Sequence, residues 1–202
     1  GDLMDDYKKE PGGREKLKER NPKWLNDLYV KFLRMSSHLI EKNGEGVLGF
    51  ITNHGYLDNP TFRGMRWHLL KTFDKIYILD LHGNAKKKEV TPEGKPDKNV
   101  FDIQQGVAII IGVKKKNGGK GLAEVFHGDL WGDRAGKYEA VRKGRISDML
   151  TSLEVPAPQH SFVRRDFELM KQYEDSMFLK DLMPLSSVGI VTGNDATAIG
   201  FS

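Results

Sequence analysis

The sequence contains no cysteine among its 202 residues. This absence excludes disulfide frameworks, cysteine-ligated zinc, iron–sulfur clusters and thiol nucleophiles. Every long apolar run is interrupted, which excludes a membrane span, and the polar residues 1–9 lack the apolar segment of a signal peptide. We therefore expect a soluble globular protein of the cytoplasm with no membrane partner.

The sequence motifs typical of nucleotide-binding loops are also absent. The sequence has no Walker A motif, and no G-x-G-x-x-G pattern follows a predicted strand and opens a helix. The glycine-rich stretch at residues 118–121 follows a predicted strand but precedes no helical pattern, so it predicts a turn.

Positive charge is concentrated in one region. The net charge is only +4, but residues 82–120 contain nine lysines and four acidic residues, a local charge of +5, so the remainder is close to neutral. The lysine runs at 86–88 and 114–116 suit phosphate contacts, which gain free energy from counterion release. An exposed strand edge kept soluble by lysine is an equally good interpretation of the charge alone.

The order of periodic segments predicts an α/β fold. Helices, with their apolar residues at helical spacing, and short apolar strands alternate as helix 21–43, strand 47–52, helix 59–73 and strand 75–81. This order predicts parallel strands with crossover connections, the first strand being covered on both faces. The strand at 107–113 follows a loop without a helix, so we expect it to be antiparallel to the preceding strand.

Three parts are predicted along the chain. Residues 1–20 form an irregular arm, residues 21–127 form the main α/β part, and residues 128–202 form a mixed α+β extension whose pattern weakens after residue 151.

The ends of the first two predicted strands are the positions to examine for chemistry. Ligands of parallel sheets gather beyond the carboxyl ends of the strands, where Thr52, Asn53 and His54 follow one strand and residues 80–83 follow the next. A binding role for these residues and a simple turn cap by Asn53 and His54 are about equally plausible. The sequence assembles neither a hydrolytic triad nor a set of metal ligands here.

Four segments resemble the later motifs of adenine-N6 DNA methyltransferases, in the same order and spacing. They are DLYVKF (27–32), GVLGFITNHGYL (46–57), FRGMRWHLL (62–70) and NVFDIQQGVAI (99–109). The segment DNPTFRGMR (58–66) is most similar to the methylase part of large single-chain restriction-modification enzymes. The likeness covers residues 1–115, and segments near 128–132 and 189–192 are similar to the region beyond the methylase motifs of those enzymes.

The resemblance implies the distal half of a Rossmann-like sheet, S-adenosylmethionine as cofactor and duplex DNA as partner. By position, Phe101 is similar to the residue that packs against the flipped adenine, although a hydrophobic plug at the strand entrance is an alternative. Leu28, Tyr29 and Phe32 resemble positions near the cofactor adenine, with core packing as the alternative for Leu28 and Phe32. The loop at 83–99 corresponds to one that faces DNA, which implies phosphate contacts by Lys86, Lys87, Lys88 and Lys98.

Two family motifs are absent. The sequence has no cofactor glycine motif and no catalytic Asn-Pro-Pro-Tyr or Asp-Pro-Pro-Phe tetrapeptide, and residues 59–62 (NPTF) begin a predicted helix instead. We therefore expect a fragment that begins after the catalytic motif, contains no catalytic residue and is inactive alone. Its partners would be the missing N-terminal half of the same polypeptide or a second copy paired through an open sheet edge.

Two other functions fit the same sequence. One is a noncatalytic DNA-binding module that is complete as it stands, and the other is part of an RNA or protein methyltransferase.

Overall fold

The structure is a computed structural model that describes residues 2–19, 21–119, 121–166 and 169. Residues Gly1–Arg164 form one compact unit that contains all the elements below, and Arg165–Ser202 form another. The helices are α1 (Leu28–Asn43), α2 (Arg63–Thr72), α3 (Arg134–Lys143) and α4 (Ile146–Met149). The strands are β1 (Gly46–Asn53), β2 (Lys75–Asp80), β3 (Val107–Lys114), β4 (Glu124–Asp129) and β5 (Thr151–Leu153).

The strands form one mixed sheet in the order β1-β3-β2-β4-β5. β3 is antiparallel to both β1 and β2, β2 is parallel to β4, and β5 is antiparallel to β4. The α/β class and the antiparallel orientation of β3 are confirmed. Strands β1 and β2 run in the same direction, as predicted, but they are not neighbours, because β3 lies between them.

Helices α1 and α2 cover one face of the sheet. Their apolar side chains form the main core with residues of β1, β2, β3 and β4, including Leu48, Ile78 and Ile110. A second apolar cluster, which includes Leu79, Val107 and Leu150, lies on the other face. The β1 side chains alternate, so Leu48 is buried whereas Val47 and Ile51 are exposed. The expectation that β1 is covered on both faces is therefore wrong for this part of the chain.

Helix α1 is shorter than predicted. A 3-10 turn at Lys23–Asn26 precedes it, and Asp27, with extended backbone, separates the two. Its end agrees with the sequence: Gly44 adopts φ 84°, and its N–H donates to the carbonyl of Ile40 at 2.9 Å, as in a left-handed C-cap.

The N-terminal segment contains a 3-10 turn at Leu3–Asp6 and an isolated bridge between Lys9 and Lys16, and it is part of the core. Tyr7 and Leu17 are buried, and the Arg63 guanidinium of α2 binds the Glu10 carboxylate through Nε at 2.7 Å and Nη2 at 2.6 Å. Arg63 also contacts Glu19. These contacts hold the segment against α2.

The predicted boundary between the main part and the extension does not coincide with a break between elements. The predicted division between residues 127 and 128 falls inside β4, and the compact unit extends to Arg164, so a functional division there stays a prediction.

No described helix combines the length and apolar character needed to cross a bilayer.

Candidate functional site

The site lies where three strands end at one edge of the sheet. Because β1, β2 and β4 all run in the same direction, His54, Asp80 and Asp129 meet at their carboxyl ends. The sequence placed His54 and residues 80–83 at strand ends, and the fold brings them into contact.

His54 is paired with a buried carboxylate. Its Nδ1 lies 3.0 Å from Asp80 Oδ1 and 3.3 Å from Oδ2, and its Nε2 lies 3.2 Å from Asn84 Nδ2. Asn84 Oδ1 accepts a hydrogen bond from the Lys87 N–H, which assigns the amide nitrogen to His54. The network therefore assigns a neutral His54 whose Nδ1–H donates to Asp80 and whose Nε2 accepts from Asn84.

His82 connects β2 to β4. Its backbone N–H donates to Asp80 Oδ1 at 2.9 Å, and its Nε2 lies 2.8 Å from Asp129 Oδ1. The Trp131 ring stacks on the imidazole with centroids 3.4 Å apart. His82 also has φ 50°, which is uncommon for a residue other than glycine.

Carboxylates around His82 control its protonation. Burial acts to lower the pKa of His82, but hydrogen bonding with Asp129 and the charges of Glu89 and Asp80 outweigh it and raise the pKa to about 9. Its Nδ1 lies 3.7 Å from Asp80 Oδ2 and 3.8 Å from Glu89 Oε1, distances that suit electrostatic attraction without a direct hydrogen bond. His82 is therefore an imidazolium near neutral pH.

His127 of β4 lies in the same cluster and differs from the other two histidines. It is 1% exposed, and neither ring nitrogen has a hydrogen-bond partner among the described residues. Burial lowers the pKa of His127, which favours the neutral imidazole. Its Nδ1 lies 3.7 Å from Asp129 Oδ2.

Among the residues that the structure describes, two groups of three side chains have ligand atoms that all lie within 4.8 Å of one another. One group is His54, His82 and Glu89, and the other is Asp80, His127 and Asp129. The sequence did not assemble a set of metal ligands at this edge, because the pairing of β4 with β2 was not evident from it.

The other predicted residues at the end of β1 have structural contacts. Asn53 Oδ1 accepts a hydrogen bond from the Gly55 N–H at 2.7 Å, so Asn53 does cap the turn, and its Nδ2 donates to Gln105 Oε1 at 2.6 Å. Thr52 is buried. Whether Thr52, Asn53 and His54 contact a ligand stays a prediction.

The loop after β2 carries the predicted DNA-binding lysines. Lys86, Lys87 and Lys88 are exposed around a 3-10 turn, Ala85–Lys87, and Lys98 is exposed further along. Gly83, at φ 78°, allows the loop to fold back, since a Cβ there would lie 2.4 Å from the Cα of Asn99.

Lys137, a residue that sequence reasoning missed, holds this loop from helix α3. Its buried ammonium donates to Asp97 at 2.8 Å and to the carbonyl oxygens of Leu81 and Lys98 at 2.7 Å each. Asp97 also accepts a hydrogen bond from the Gly132 N–H at 2.7 Å. The loop is therefore anchored at both ends while its lysines face solvent.

Phe101 is 40% exposed and lies on the wall of an open cavity of about 480 Å³. The cavity is lined by Lys98, Asn99, Phe101, Asp102, Ile103, Gln104 and Arg134. Asn99 shapes the segment: its Nδ2 donates to the carbonyls of Gly83 and Gln105, and its Oδ1 accepts from the Phe101 N–H. This exposure does not suit the alternative of a buried plug, and contact with a target base stays a prediction.

The residues predicted near the cofactor lie at the start of α1. Leu28 is 71% exposed and Phe32 is 54% exposed, so core packing within this part of the chain does not account for them. Tyr29 is half-buried, with its ring centroid 6.2 Å from that of Tyr56. Burial raises the pKa of Tyr29, which keeps its hydroxyl neutral.

Two solved structures similar to this chain are Type ISP restriction-modification enzymes, and a third is a protein–DNA complex. No protein-family model and no curated protein matches the chain. The ATP-dependent Type ISP restriction-modification enzyme LlaBIII bound to DNA matches with 25% identity and a TM-score of 0.67 over 81% of this chain. DrdV in complex with DNA matches with 26% identity and a TM-score of 0.62 over 75% of this chain. A nuclease-deletion mutant of the Type ISP enzyme LlaGI, with a DNA substrate mimic, matches at 24% identity and a TM-score of 0.66 over 84% of this chain, a likeness of fold.

The chain resembles one part of a restriction-modification enzyme. It spans 11%, 15% and 13% of the matched LlaBIII, DrdV and LlaGI chains. The relationship to restriction-modification enzymes that the motifs predict is therefore supported, and the matched proteins are themselves DNA complexes.

Proposed function

We propose that this chain is the distal part of the catalytic domain of a DNA adenine-N6 methyltransferase within a restriction-modification enzyme. The observation that carries the proposal is the exposed Phe101 at the entrance to β3, an antiparallel strand inserted between two strands of like direction. This arrangement suits the sequence resemblance, in which an aromatic residue leads into an antiparallel strand. Similarity to a DNA-bound restriction-modification enzyme supports it independently.

Phe101 is proposed to stack on the target adenine. An enzyme that modifies a base must take it out of the duplex, and an exposed aromatic ring offers the base a new stacking surface. The open cavity beside Phe101 provides space for a base, and the exposed Lys98 on its wall supplies positive charge, whereas Arg134 is paired with Asp102 at 2.6 Å. Asn99 fixes the segment through its three hydrogen bonds.

The exposed start of α1 fits part of S-adenosylmethionine. Leu28 and Phe32 offer uncovered apolar surface, and the half-buried Tyr29 ring lies beside them, which suits the flat adenine ring of the cofactor. When bound, the cofactor supplies a methyl group on a positively charged sulfur. The polar partners of its methionine part are proposed to come from a preceding half of the polypeptide, with the glycine motif and the Asn-Pro-Pro-Tyr type motif.

That preceding half is also proposed to cover the open side of this chain. Strand β1 is an edge of the described sheet, where Val47 and Ile51 are exposed on the face opposite the helices, and α1 exposes Leu28, Phe32, Met35 and Leu39 on the other side. Apolar surface next to a free strand edge favours association, and a second copy of this chain is the alternative occupant. The isolated chain is accordingly proposed to be inactive.

Duplex DNA is the proposed nucleic-acid partner. An anchored loop carries Lys86, Lys87 and Lys88 at the same end of the sheet as Phe101, because that loop and Phe101 both lie between the end of β2 and the start of β3. Such lysines can contact phosphates without reading sequence. A noncatalytic DNA-binding module would use the same lysines, so methyl transfer distinguishes the two functions.

The test compares this chain with the longer polypeptide encoded by its reading frame. Each is incubated with labelled S-adenosylmethionine and adenine-containing duplex DNA, and N6-methyladenine is measured in the product, with RNA as a competitor. We expect methyl transfer to DNA by the longer polypeptide, none by this chain, and little inhibition by RNA. Methylation of RNA or protein instead, or sequence-specific DNA binding without methyl transfer, would contradict the proposal.

A further inference from the structure

The geometry points to a binding site for a divalent transition-metal ion, of the Zn²⁺ or Mn²⁺ type, formed by Asp80, His127 and Asp129. Their ligand atoms lie within 4.8 Å of one another. Two carboxylates with one imidazole form a mixed oxygen and nitrogen set that suits these ions better than Mg²⁺, which prefers oxygen and water. The ion would join β2 to β4, and the site does not depend on methyl transfer.

The backbone places the three side chains on one face of the sheet. Strands β2 and β4 are parallel with Asp80 opposite Asp129 and Ile78 opposite His127. Residues two apart on a strand share a face, and aligned residues of neighbouring strands share it too. The group therefore needs no rearrangement of the backbone to converge.

His127 is the observation that favours a ligand. It is 1% exposed, its two ring nitrogens have no hydrogen-bond partner in the part of the chain that is described, and its Nδ1 lies 3.7 Å from Asp129 Oδ2. A buried polar group without a partner destabilises the fold, so a ligand that binds it restores free energy. A separation of 3.7 Å is too long for a hydrogen bond but suits two atoms that bind the same cation.

The charges around the site also favour a cation. Asp80, Glu89 and Asp129 place three carboxyl groups around the site, and the basic side chains that act on them are His54, His82 and, for Asp129 and His127, Arg164. The Asp80 side chain is only 4% exposed, so a bound cation would interact with its carboxyl group where water screens least.

Neighbouring hydrogen bonds orient both carboxylates. His54 Nδ1 and the His82 N–H hold Asp80, and His82 Nε2 holds Oδ1 of Asp129 while Oδ2 faces His127. Metal-binding side chains are commonly fixed in this way. The Asp129 side chain is 35% exposed, which leaves a route to solvent for the ion and for water ligands.

The other group, His54, His82 and Glu89, is a poorer site. His54 already uses both ring nitrogens, one with Asp80 and one with Asn84. His82 Nε2 already lies 2.8 Å from Asp129 Oδ1, which leaves only its Nδ1 for an ion. Glu89 therefore provides a matched control for Asp129.

The experiment measures metal binding by the whole chain. The protein is treated with a chelator, dialysed against Zn²⁺, Mn²⁺ or Mg²⁺, and its metal content and thermal midpoint are measured for wild type, Asp129→Asn and Glu89→Gln. We expect one Zn²⁺ or Mn²⁺ per chain with a raised midpoint for wild type and for Glu89→Gln. Asp129→Asn should lose at least ~10-fold in affinity. No binding by wild type, or equal binding by all three proteins, would overturn the site, and loss only in Glu89→Gln would assign the ion to the other group.

A second measurement uses only wild-type protein, so its result does not depend on whether the Asp129→Asn variant folds. Substoichiometric Mn²⁺ is added to wild-type protein, and the histidine ring signals are followed by NMR. Broadening of the His127 signals before those of His38 and His160, which lie outside the cluster, is the expected result. His127 signals that stay sharp while protein-bound Mn²⁺ rises would contradict the site.

Discussion

Asp80 on β2 lies directly opposite Asp129 on β4, and His82 bonds to both: its backbone N–H donates to Asp80 Oδ1 at 2.9 Å, and its Nε2 lies 2.8 Å from Asp129 Oδ1. The two residues are 49 positions apart in the sequence (129 − 80). Their pairing defines the edge of the sheet from which the loop that carries Lys86, Lys87 and Lys88 begins.

Replacing Asp80 with Asn should destabilise the fold. Asn cannot give the charge-assisted bond to His54, and hydrogen bonds to charged groups contribute about 1.5–3 kcal/mol each, so we expect a loss of that order in the free energy of unfolding. Urea denaturation measures it. Asp133→Asn is the control, because Asp133 caps α3 through the Gly136 N–H and Asn caps equally well. Equal stability of both variants and wild type would contradict the structural role of Asp80.

Stability should fall with rising pH through the range in which His82 titrates. Its folded-state pKa of about 9 is above the unfolded value of about 6.5. A raised pKa stabilises the fold fully below about pH 6.5, and this stabilisation is lost as the pH rises through about 9. His127 and His68 have lowered pKa values, so their effects lie below about pH 6.5.

The measurement is the free energy of unfolding by urea at several pH values in that window. We expect His82→Gln to have a flatter dependence than wild type. If both proteins lose stability in parallel, another group is responsible.

Arg63→Lys should loosen the N-terminal segment. A lysine cannot reproduce the two parallel bonds to Glu10 and the further contact with Glu19, and we expect a cost of about 1.5–3 kcal/mol. Hydrogen exchange at the Leu17 N–H, which bonds to the Lys8 carbonyl, should become faster. Arg14→Lys, at an exposed position of the same segment, should leave exchange unchanged.

The lysines of the loop after β2 should dominate the salt dependence of DNA binding. Each phosphate-contacting lysine contributes about 1 to the slope of log K against log salt, so Lys86→Ala with Lys87→Ala should reduce the slope by about 2. Lys115→Ala with Lys116→Ala is the control, since these exposed lysines follow the opposite end of β3. Similar slopes for the two double variants would show that general positive charge, and not this loop, binds the duplex.

Local sequence patterns predicted the helices and strands better than they predicted which strands are neighbours in the sheet. Apolar periodicity located α1, α2, β1, β2 and β3, and Gly44 marked the end of α1. The position of β3 between β1 and β2 was not predictable, because the sequence of an apolar strand does not indicate which two strands pair with it. The start of α1 was misplaced because Asn21 and Pro22 precede a 3-10 turn with the same local composition as a helix start.

The candidate site was predictable only in part. The strand-end rule found His54 and the segment with Asp80 and His82, since their strands were recognised. His127 and Asp129 were missed because their contribution depends on the register of β4 against β2, and Glu89 was missed because its place depends on how the loop after β2 folds back on His82. The alternation of apolar Val125 with His127 in a short strand was the one local signal, and it cannot indicate which residues lie opposite.

The most direct test of the account measures N6-methyladenine formation by the longer polypeptide with Phe101→Ala and, as the matched control, Ile103→Ala. Both side chains are exposed on the same cavity, but only an aromatic ring can stack on a flipped base. Base stacking contributes about 1–3 kcal/mol, so Phe101→Ala should reduce methyl transfer about 5- to 150-fold while Ile103→Ala stays close to wild type. Equal activity of the two variants, or no N6-methyladenine from the wild-type polypeptide, would contradict the account.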